Sequence, residues 1–421
     1  MDSNTPKKTE KKTQEDPIDE NEESTPQQIP DMSVCQNYFN YEYFQQKLNE
    51  GLTEDEEGKN CEQEMKNIQE EIMEKVKENK MAPFYEIVCD RLNWNFDEAL
   101  FEELKAANDA ESKGYDEQEA EAEKNAGEME VLDAVFARAQ FWCRIGARPQ
   151  AYAALDAIVA RPKVSAGKRL DATMTKTRLA FFYSDLSMVK KCLEAAEELG
   201  ELGGDWDRLN RLKVYKAFYY LLIRDIKKAA GLLLDCVATF TCTELCTYND
   251  FIFYAALANI LYLPRLQLKK QIVDGPEVLT VIREMPVLGK LVNSLYECNY
   301  REFFEAMVSL SPRFQKDRLL RPHVRYLVRE LRLLAYTQFL EAYKSVILSS
   351  MAGSFGVSSG FLDSELSRFI AAGRLNAKID KVEGVVETNR PDKKNSQYQT
   401  LIKQGDLLLN RVQRLTRVID V

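Results

Sequence analysis

The sequence predicts a mainly α-helical protein, in which a helical-repeat solenoid is followed by a winged-helix domain and a C-terminal docking helix. Three observations lead to this prediction. Paired helical patterns recur within residues 131–312. Two short helical patterns and a hairpin pattern follow one another within residues 349–389. From residue 398 the apolar positions alternate steps of three and four residues almost to the end of the chain.

Acidic side chains dominate the first part of the chain. Residues 1–130 contain 14 Lys/Arg and 36 Asp/Glu, a net charge of −22, whereas residues 131–421 contain 43 and 31, a net charge of +12. Residues 1–36 are predicted to be a disordered acidic lead, because the prolines and few apolar side chains there cannot bury enough surface to fold. Residues 37–130 are predicted to form N-terminal helices, including a long acidic helix. This acidic arm either meets a partner, folds onto the basic body, or does both, or it is simply a solvated helix.

A weak repeat organises residues 131–312. The segments RAQFWCRIGARPQAYAALDAI, TRLAFFYSDLSMVKKCLEAA and KAFYYLLIRDIKKAAGLLLD align when Gly146, Asp185 and Asp225 are superposed, at spacings of 39 and 40 residues. Each unit has an aromatic-rich helix, a tight turn and an Ala/Leu-rich helix, and SLYECNYREFFEAMVSL is a candidate degenerate copy. The pattern resembles a tetratricopeptide-like solenoid, whose units bury their apolar faces only by stacking. Such solenoids present extended binding surfaces.

Residues 313–392 are predicted to form a winged-helix region. The segment HVRYLVRELRLLAYTQFLEAYKS has the pattern of an amphipathic helix. A short helix ending near Gly356 and a second helix from Asp363 to Ala372, with Gly373 after its end, are predicted next. The segment NAKIDKVEGVVETN alternates around a turn at residues 380–384, which predicts a hairpin that forms the wing.

Two surfaces of this region are candidate contacts. The edge strand of the wing either pairs with a neighbouring subunit or covers its own winged helix. The candidate edge residues are Lys378, Ile379, Val382, Val385 and Val386. A possible basic contact stripe is formed by Arg321, Arg325, Arg329 and Arg332. The stripe faces an acidic partner, nucleic acid or solvent. The residues argue against nucleic acid, because Asp363 and Glu365 lie in the second helix and the acidic arm repels phosphate.

Residues 393–421 are predicted to form the docking helix. Its apolar seam consists of Tyr398, Leu401, Leu408, Val412, Leu415 and Ile419, with Gly405 in the remaining slot. An isolated helix of this length is marginal in water, so the seam requires a partner. That partner is either a helical bundle formed with other chains or the body of this chain.

The residue content disfavours the enzyme classes that have a recognisable sequence signature. The single histidine, His323, cannot build a two-histidine metal site, and neither G-x-x-x-x-G-K-[ST] nor G-x-G-x-x-G after a strand is present. We therefore expect no cofactor and no catalysis, with a Cys-His hydrolase based on His323 as the remaining enzyme hypothesis. The nine cysteines, without a signal peptide, indicate reduced cytosolic or nuclear thiols, and Cys242 with Cys246 lacks the further ligands of a zinc site. No apolar run is long enough to cross a membrane.

Three segments point to a family. They are GGDWDRLNRLKVY (203–215), FGVSSGFLDSELSRFIAAGRLNAKIDKVEGVVETNRPD (355–392) and QYQTLIKQGDLLLNRVQRLTRVI (397–419). They resemble the PCI-domain subunits of the 26S proteasome lid, and the resemblance extends over residues 81–421. It implies a non-catalytic scaffold that supports lid assembly and ubiquitin-dependent protein degradation, through contacts between PCI domains and a C-terminal helical bundle.

The resemblance also implies the partners and the location. The partners would be the other PCI subunits of the lid, the ATPase ring and the core particle, in the cytoplasm and nucleus and without a membrane. A subunit of the COP9 signalosome has the same architecture and is the first alternative. A nucleic-acid-binding PCI protein is the second.

Overall fold

The structure is a computed structural model that describes residues 29–49, 56–125, 127–161, 164–388 and 393–419. Within these residues the chain forms nineteen α-helices and one three-stranded sheet, which confirms the mainly helical class. The N-terminal helices are α1 (Met32–Asn49), α2 (Glu56–Glu78), α3 (Ala82–Leu92) and α4 (Glu98–Asn125). The repeat region contains α5 (Glu128–Arg144), α6 (Arg148–Ala160), α7 (Ala166–Phe182), α8 (Leu186–Gly203), α9 (Trp206–Leu222), α10 (Ile226–Cys236), α11 (Tyr248–Tyr262), α12 (Arg265–Leu268), α13 (Pro276–Glu284), α14 (Pro286–Glu297) and α15 (Tyr300–Lys316). The remaining elements are α16 (Val324–Ala342), β1 (Ser345–Ile347), α17 (Leu348–Phe355), α18 (Ser359–Ala371), β2 (Ala377–Asp380), β3 (Val385–Thr388) and α19 (Lys393–Ile419).

The first described helix overlaps the predicted lead. α1 begins at Met32, so residues 32–36, which were predicted to be disordered, are helical. Val34 and Tyr41 are buried in a cluster with α2 and α3, and the carboxylate of Asp31 accepts the backbone amide of Ser33 at the helix start at 2.9 Å. The rest of the lead, residues 1–28, lies outside the described residues.

α1 is fastened to the end of α15. The side-chain amide of Gln36 donates to the carbonyl of Lys316 at 2.7 Å. The guanidinium of Arg318 donates to the sulfur of Cys35 at 2.9 Å. Contacts between residues so far apart in sequence join the start of the described chain to the start of the winged-helix region.

The predicted acidic helix is α4, and part of its charge is neutralised by α5. Arg138 lies 3.3 Å from Asp116 and 2.7 Å from Glu119. Arg144, also on α5, pairs with Glu111, also on α4. α4 therefore packs against α5 on one face, and its buried Leu104 packs against α3 on another.

One type of turn joins four helix pairs of the repeat region. A residue with positive φ follows the first helix of each of these pairs, and these residues are Gly146 (φ 78°), Ser184 (φ 57°), Arg224 (φ 66°) and Cys298 (φ 64°). The following amide donates back into the last turn of that helix, as from Asp185 to the carbonyl of Ala180 at 3.0 Å. This arrangement satisfies carbonyls at the helix end. The fourth turn lies in SLYECNYREFFEAMVSL, so the candidate degenerate copy has the same geometry.

The turn shifts the predicted repeat alignment by one residue. Asp185 and Asp225 are the N-caps of α8 and α10, and each accepts a backbone amide with its side chain. The corresponding N-cap of α6 is Ala147, which has no polar side chain, so Gly146 is equivalent to the residues before the two aspartates. The shared feature is a backbone conformation carried by four different residue types, which a comparison of letters does not detect.

The winged helix has a third strand that the sequence pattern did not indicate. β1 and β2 both pair antiparallel with β3, so the order across the sheet is β1-β3-β2. β1 is three residues long and pairs Ser345 with Glu387, far along the chain, so no local hairpin signal exists for it. The predicted hairpin corresponds to β2 and β3. α18 begins at Ser359 rather than Asp363, because the hydroxyl of Ser358 accepts a backbone amide of its first turn.

One apolar core joins the repeat region to the winged helix. Its buried side chains extend from Leu170 on α7 to Val386 on β3, and none of the side chains that the structure describes on α19 belongs to it. Tyr336 on α16 packs against Phe355 on α17 with ring centroids 5.0 Å apart. Its hydroxyl also donates to the buried carboxylate of Glu365 on α18 at 2.9 Å. The shared core fixes the winged helix relative to the solenoid.

Three of the predicted segment boundaries fall inside helices. α1 runs across residues 36 and 37, α5 runs across residues 130 and 131, and α15 runs across residues 312 and 313. At residues 312 and 313 the shared core explains the continuity, since α15 lies within it. At residues 130 and 131, α4 and α5 pack together through the rings of Tyr115 and Phe141. The division into five segments otherwise stays a prediction.

Candidate assembly surfaces

The C-terminal helix α19 exposes its apolar seam. Every side chain that the structure describes on this helix is exposed. The exposed fractions along the seam are 63% for Tyr398, 69% for Leu401, 66% for Leu408, 53% for Val412 and 61% for Leu415. The helix continues to Ile419, whose side chain lies outside the described residues. In the described part of the chain, therefore, the body does not cover the seam.

The apolar face of α19 is wider than the predicted seam. Ile402 and Leu409, which are 60% and 58% exposed, flank the seam at about 3.6 residues per turn, so the face spans about 140° around the helix. Leu407 and Val418 add apolar surface nearer the opposite side. A two-stranded coiled coil needs only a narrow seam, whereas a broad stripe is typical of a helix that packs among several others.

The wing has an open strand edge on β2. Lys378 and Ile379 lie on this strand, which is paired on one side only, and Val382 in the following turn is 96% exposed. Val385 and Val386 lie on β3 instead, and Val386 is fully buried. Of the candidate edge residues, only those on β2 and in its turn lie at an open edge. β3 is paired on both sides and cannot take a further strand.

Arg321 does not belong to the predicted basic stripe. Its guanidinium lies 4.9 Å from the ring centroids of both Phe39 and Tyr43 on α1. It also donates to the carbonyl of Phe39 at 3.3 Å. Burial lowers the pKa of this guanidinium from its usual value. Arg321 is therefore a structural contact between α1 and the winged-helix region.

The other three arginines of the stripe share one face of α16 and meet two more. Arg325, Arg329 and Arg332 line a cleft of about 530 Å³ together with Arg368 of α18 and Arg374, which follows α18. The sequence shows the spacing along α16, but only the packing of α18 against α16 brings the last two side chains to the same cleft.

The histidine and two of the cysteines lie in surroundings that engage them or keep them protonated. The Nε2 atom of His323 lies 2.8 Å from the carbonyl oxygen of Leu222. Burial raises the pKa of Cys143 to about 12 and raises that of Cys242 as well, so both thiols are protonated at neutral pH. Among the described residues no group of three or more His, Cys, Asp or Glu could hold a metal ion. In that same part of the chain no helix combines the length and the apolarity needed to span a membrane.

Three family models match the chain in succession. The model of 26S proteasome subunit RPN7 matches residues 97–271, and the PCI domain model matches residues 301–390. The model of the C-terminal helix of 26S proteasome regulatory subunit RPN7/PSMD6 matches residues 397–419. The matches fall on the repeat region, the winged helix and α19, and they confirm the resemblance to PCI-domain proteasome subunits.

Curated relatives are similar over most of the chain. The 26S proteasome non-ATPase regulatory subunit 6 homolog of Arabidopsis thaliana is 47% identical over 354 residues, which cover 84% of this chain and 91% of the relative. The subunit 6 of Dictyostelium discoideum is 45% identical over 83% of this chain and 91% of its own length. The RPN7 subunit of Saccharomyces cerevisiae is 37% identical over 84% and 88%. COP9 signalosome complex subunit 1 of Arabidopsis thaliana is 25% identical over 47% and 45%, a shorter and weaker similarity.

Proposed function

This chain belongs to the RPN7/PSMD6 family of 26S proteasome regulatory subunits, and we propose that it acts as a non-catalytic scaffold of the regulatory-particle lid. In this role it supports assembly of the lid and thereby ubiquitin-dependent protein degradation in the cytoplasm and nucleus. The observation that carries the proposal is the exposed apolar face of α19.

α19 is proposed to dock into a helical bundle with C-terminal helices of other lid subunits. Burying a leucine side chain is worth about 1.5–3 kcal/mol, and the leucines of the seam are still roughly two-thirds exposed here. Most of that free energy is therefore available to a partner. A broad apolar face supports a bundle of several helices over a single pairing.

The open edge of β2 is proposed to pair with the winged helix of a neighbouring PCI subunit. The unpaired backbone of an edge strand is a template for a further strand. Lys378 and the turn residue Val382 are exposed there, so the edge is accessible from solvent. The sheet of this chain would then continue into the sheet of its neighbour.

The repeat region is proposed to reach the ATPase ring and the core particle. Stacked helix pairs give it an extended surface, and the shared core holds that surface at a fixed angle to the winged helix. A rigid arm of this kind would hold neighbouring subunits in fixed positions. This fits a scaffold that is proposed to work through apolar side chains and a strand edge.

The experiment compares two tagged forms of the chain in cells, the full chain and one lacking residues 397–421. Each is purified through the tag, sized on a native gel and analysed by mass spectrometry. We expect the full chain to recover lid subunits, ATPases and core particle, and the shortened chain to remain folded but alone. Entry of the shortened chain into the complex would refute the bundle. Recovery of signalosome subunits by the full chain would move the function to that complex.

A further inference from the structure

A basic cleft lies between α16 and α18, apart from both the wing edge and the docking helix. The arginine cleft is lined by Arg325, Arg329, Arg332, Arg368 and Arg374, with Phe369, Ala372 and the carboxylate of Glu365. Its volume is about 530 Å³, enough for a few side chains of a bound segment. Side chains of two helices and the turn after α18 converge there.

Three of the five guanidiniums are held in place by carboxylates. Arg332 lies 2.9 Å from Glu365, which is 8% exposed and is itself held by the hydroxyl of Tyr336 at 2.9 Å. Arg374 donates to Glu330 at 3.2 Å, and Arg329 lies 3.5 Å from the same carboxylate. These contacts fix the direction of the guanidiniums before any ligand arrives, which lowers the entropic cost of binding.

The other two guanidiniums have no partner in the part of the chain that the structure describes. The side chains of Arg325 and Arg368 are exposed, and neither makes an ion pair or a hydrogen bond there. Five guanidiniums therefore face two carboxylates, so the cleft has an excess of positive charge. A concave wall lined by one sign of charge focuses its field on an incoming ligand of the opposite sign.

We propose that the arginine cleft binds an acidic peptide segment of another polypeptide. The planar guanidinium matches a carboxylate in a two-point contact, and two guanidiniums are free to make it. Phe369 and Ala372 add apolar surface to the lining, which suits a peptide side chain between acidic residues. Arg368 is the one basic side chain on the exposed face of α18, whereas nucleic acid would need a longer row of phosphate contacts.

Fluorescence anisotropy of labelled hexaglutamate with the isolated full-length chain tests the proposal at low salt. The chain has a net charge of −10, so general electrostatics repel this peptide and any binding reports a local site. The variant Arg325→Gln/Arg368→Gln removes the two unpartnered guanidiniums and should weaken binding about tenfold, because each exposed charge contact contributes several-fold. Its thermal unfolding should match that of the wild type, since neither exposed side chain makes an ion pair or a hydrogen bond among the described residues.

The matched control is Lys270→Gln/Arg283→Gln in the repeat region. Both side chains are exposed without an ion pair among the described residues, and the variant removes the same charge. Hexaglutamate affinity of this control should stay within twofold of wild type. Absence of hexaglutamate binding to the wild type, or equal weakening by both variants, would overturn the proposal. Tighter binding of an oligothymidylate, weakened by Arg325→Gln/Arg368→Gln, would overturn the peptide assignment. The assay contains no other subunit, so its outcome is independent of the scaffold proposal.

Discussion

Replacing three leucines of α19 with alanine should disrupt assembly without destabilising the chain. Leu401, Leu408 and Leu415 lie on the apolar face and are 69%, 66% and 61% exposed. Each loses about 1 kcal/mol of burial against a partner when it is shortened, so the triple variant should lose about 3 kcal/mol. That is roughly a hundredfold in affinity. Unfolding of the isolated chain should change by less than about 0.5 kcal/mol, because exposed alanine and leucine have similar helix propensities.

The assay is a competition between two differently tagged chains. Wild type and L401A/L408A/L415A are expressed together, the assembled complex is isolated through another subunit, and the ratio of the two tags is measured. The matched control makes the same alanine substitutions at Gln399, Lys403 and Asn410, which are exposed on the opposite face of α19. We expect the control to enter at the wild-type ratio and the leucine variant to be nearly absent.

Two results would refute this reasoning. Equal incorporation of L401A/L408A/L415A and wild type would show that the apolar face is not a docking surface. A fall of more than about 1 kcal/mol in the free energy of unfolding of the isolated variant would show that α19 packs on its own chain, since exposed substitutions seldom cost that much.

Three further predictions concern the body of the chain. Gly146→Ala should lower the free energy of unfolding by about 1–3 kcal/mol, because φ is 78° and the new Cβ would lie 2.9 Å from a tyrosine hydroxyl. The measurement is a urea titration, and the control is Gly231→Ala, whose new Cβ would meet open space. Tyr336→Phe should cost about 1–3 kcal/mol, since the buried carboxylate of Glu365 keeps Arg332 but loses the donor hydroxyl, and an unchanged urea midpoint would contradict this. Iodoacetamide should alkylate Cys298 before Cys246 at neutral pH, as peptide mapping can show. Burial alone would raise the pKa of Cys298, but hydrogen bonds from nearby side chains hold that pKa below its usual value, so its thiolate persists to lower pH. Burial raises the pKa of Cys246.

Local patterns of the sequence were sufficient for the elements whose signal is local. The helix pairs, the hairpin and the C-terminal helix each follow from periodicity and turn residues within a short window. The seam of α19 was predicted because its apolar positions repeat along one helix. The additional residues Ile402 and Leu409 have the same signal at neighbouring positions, and a full helical projection would have found them.

Features that depend on tertiary packing were not predicted from the sequence. β1 exists because Ser345 reaches Glu387 across two helices, and three residues give no pattern of their own. The arginine stripe was defined by spacing on one helix, but α1 covers Arg321, and α18 brings Arg368 into the cleft. Helical spacing shows which residues share a face, and only the fold shows what lies opposite that face.

The most direct test of the scaffold account is a photo-crosslinking residue at position 408 of the full chain, activated in the purified assembled complex. The account expects crosslinked peptides from the C-terminal helices of other lid subunits. Crosslinks confined to peptides of this same chain would contradict it, because they would show that α19 docks on its own body.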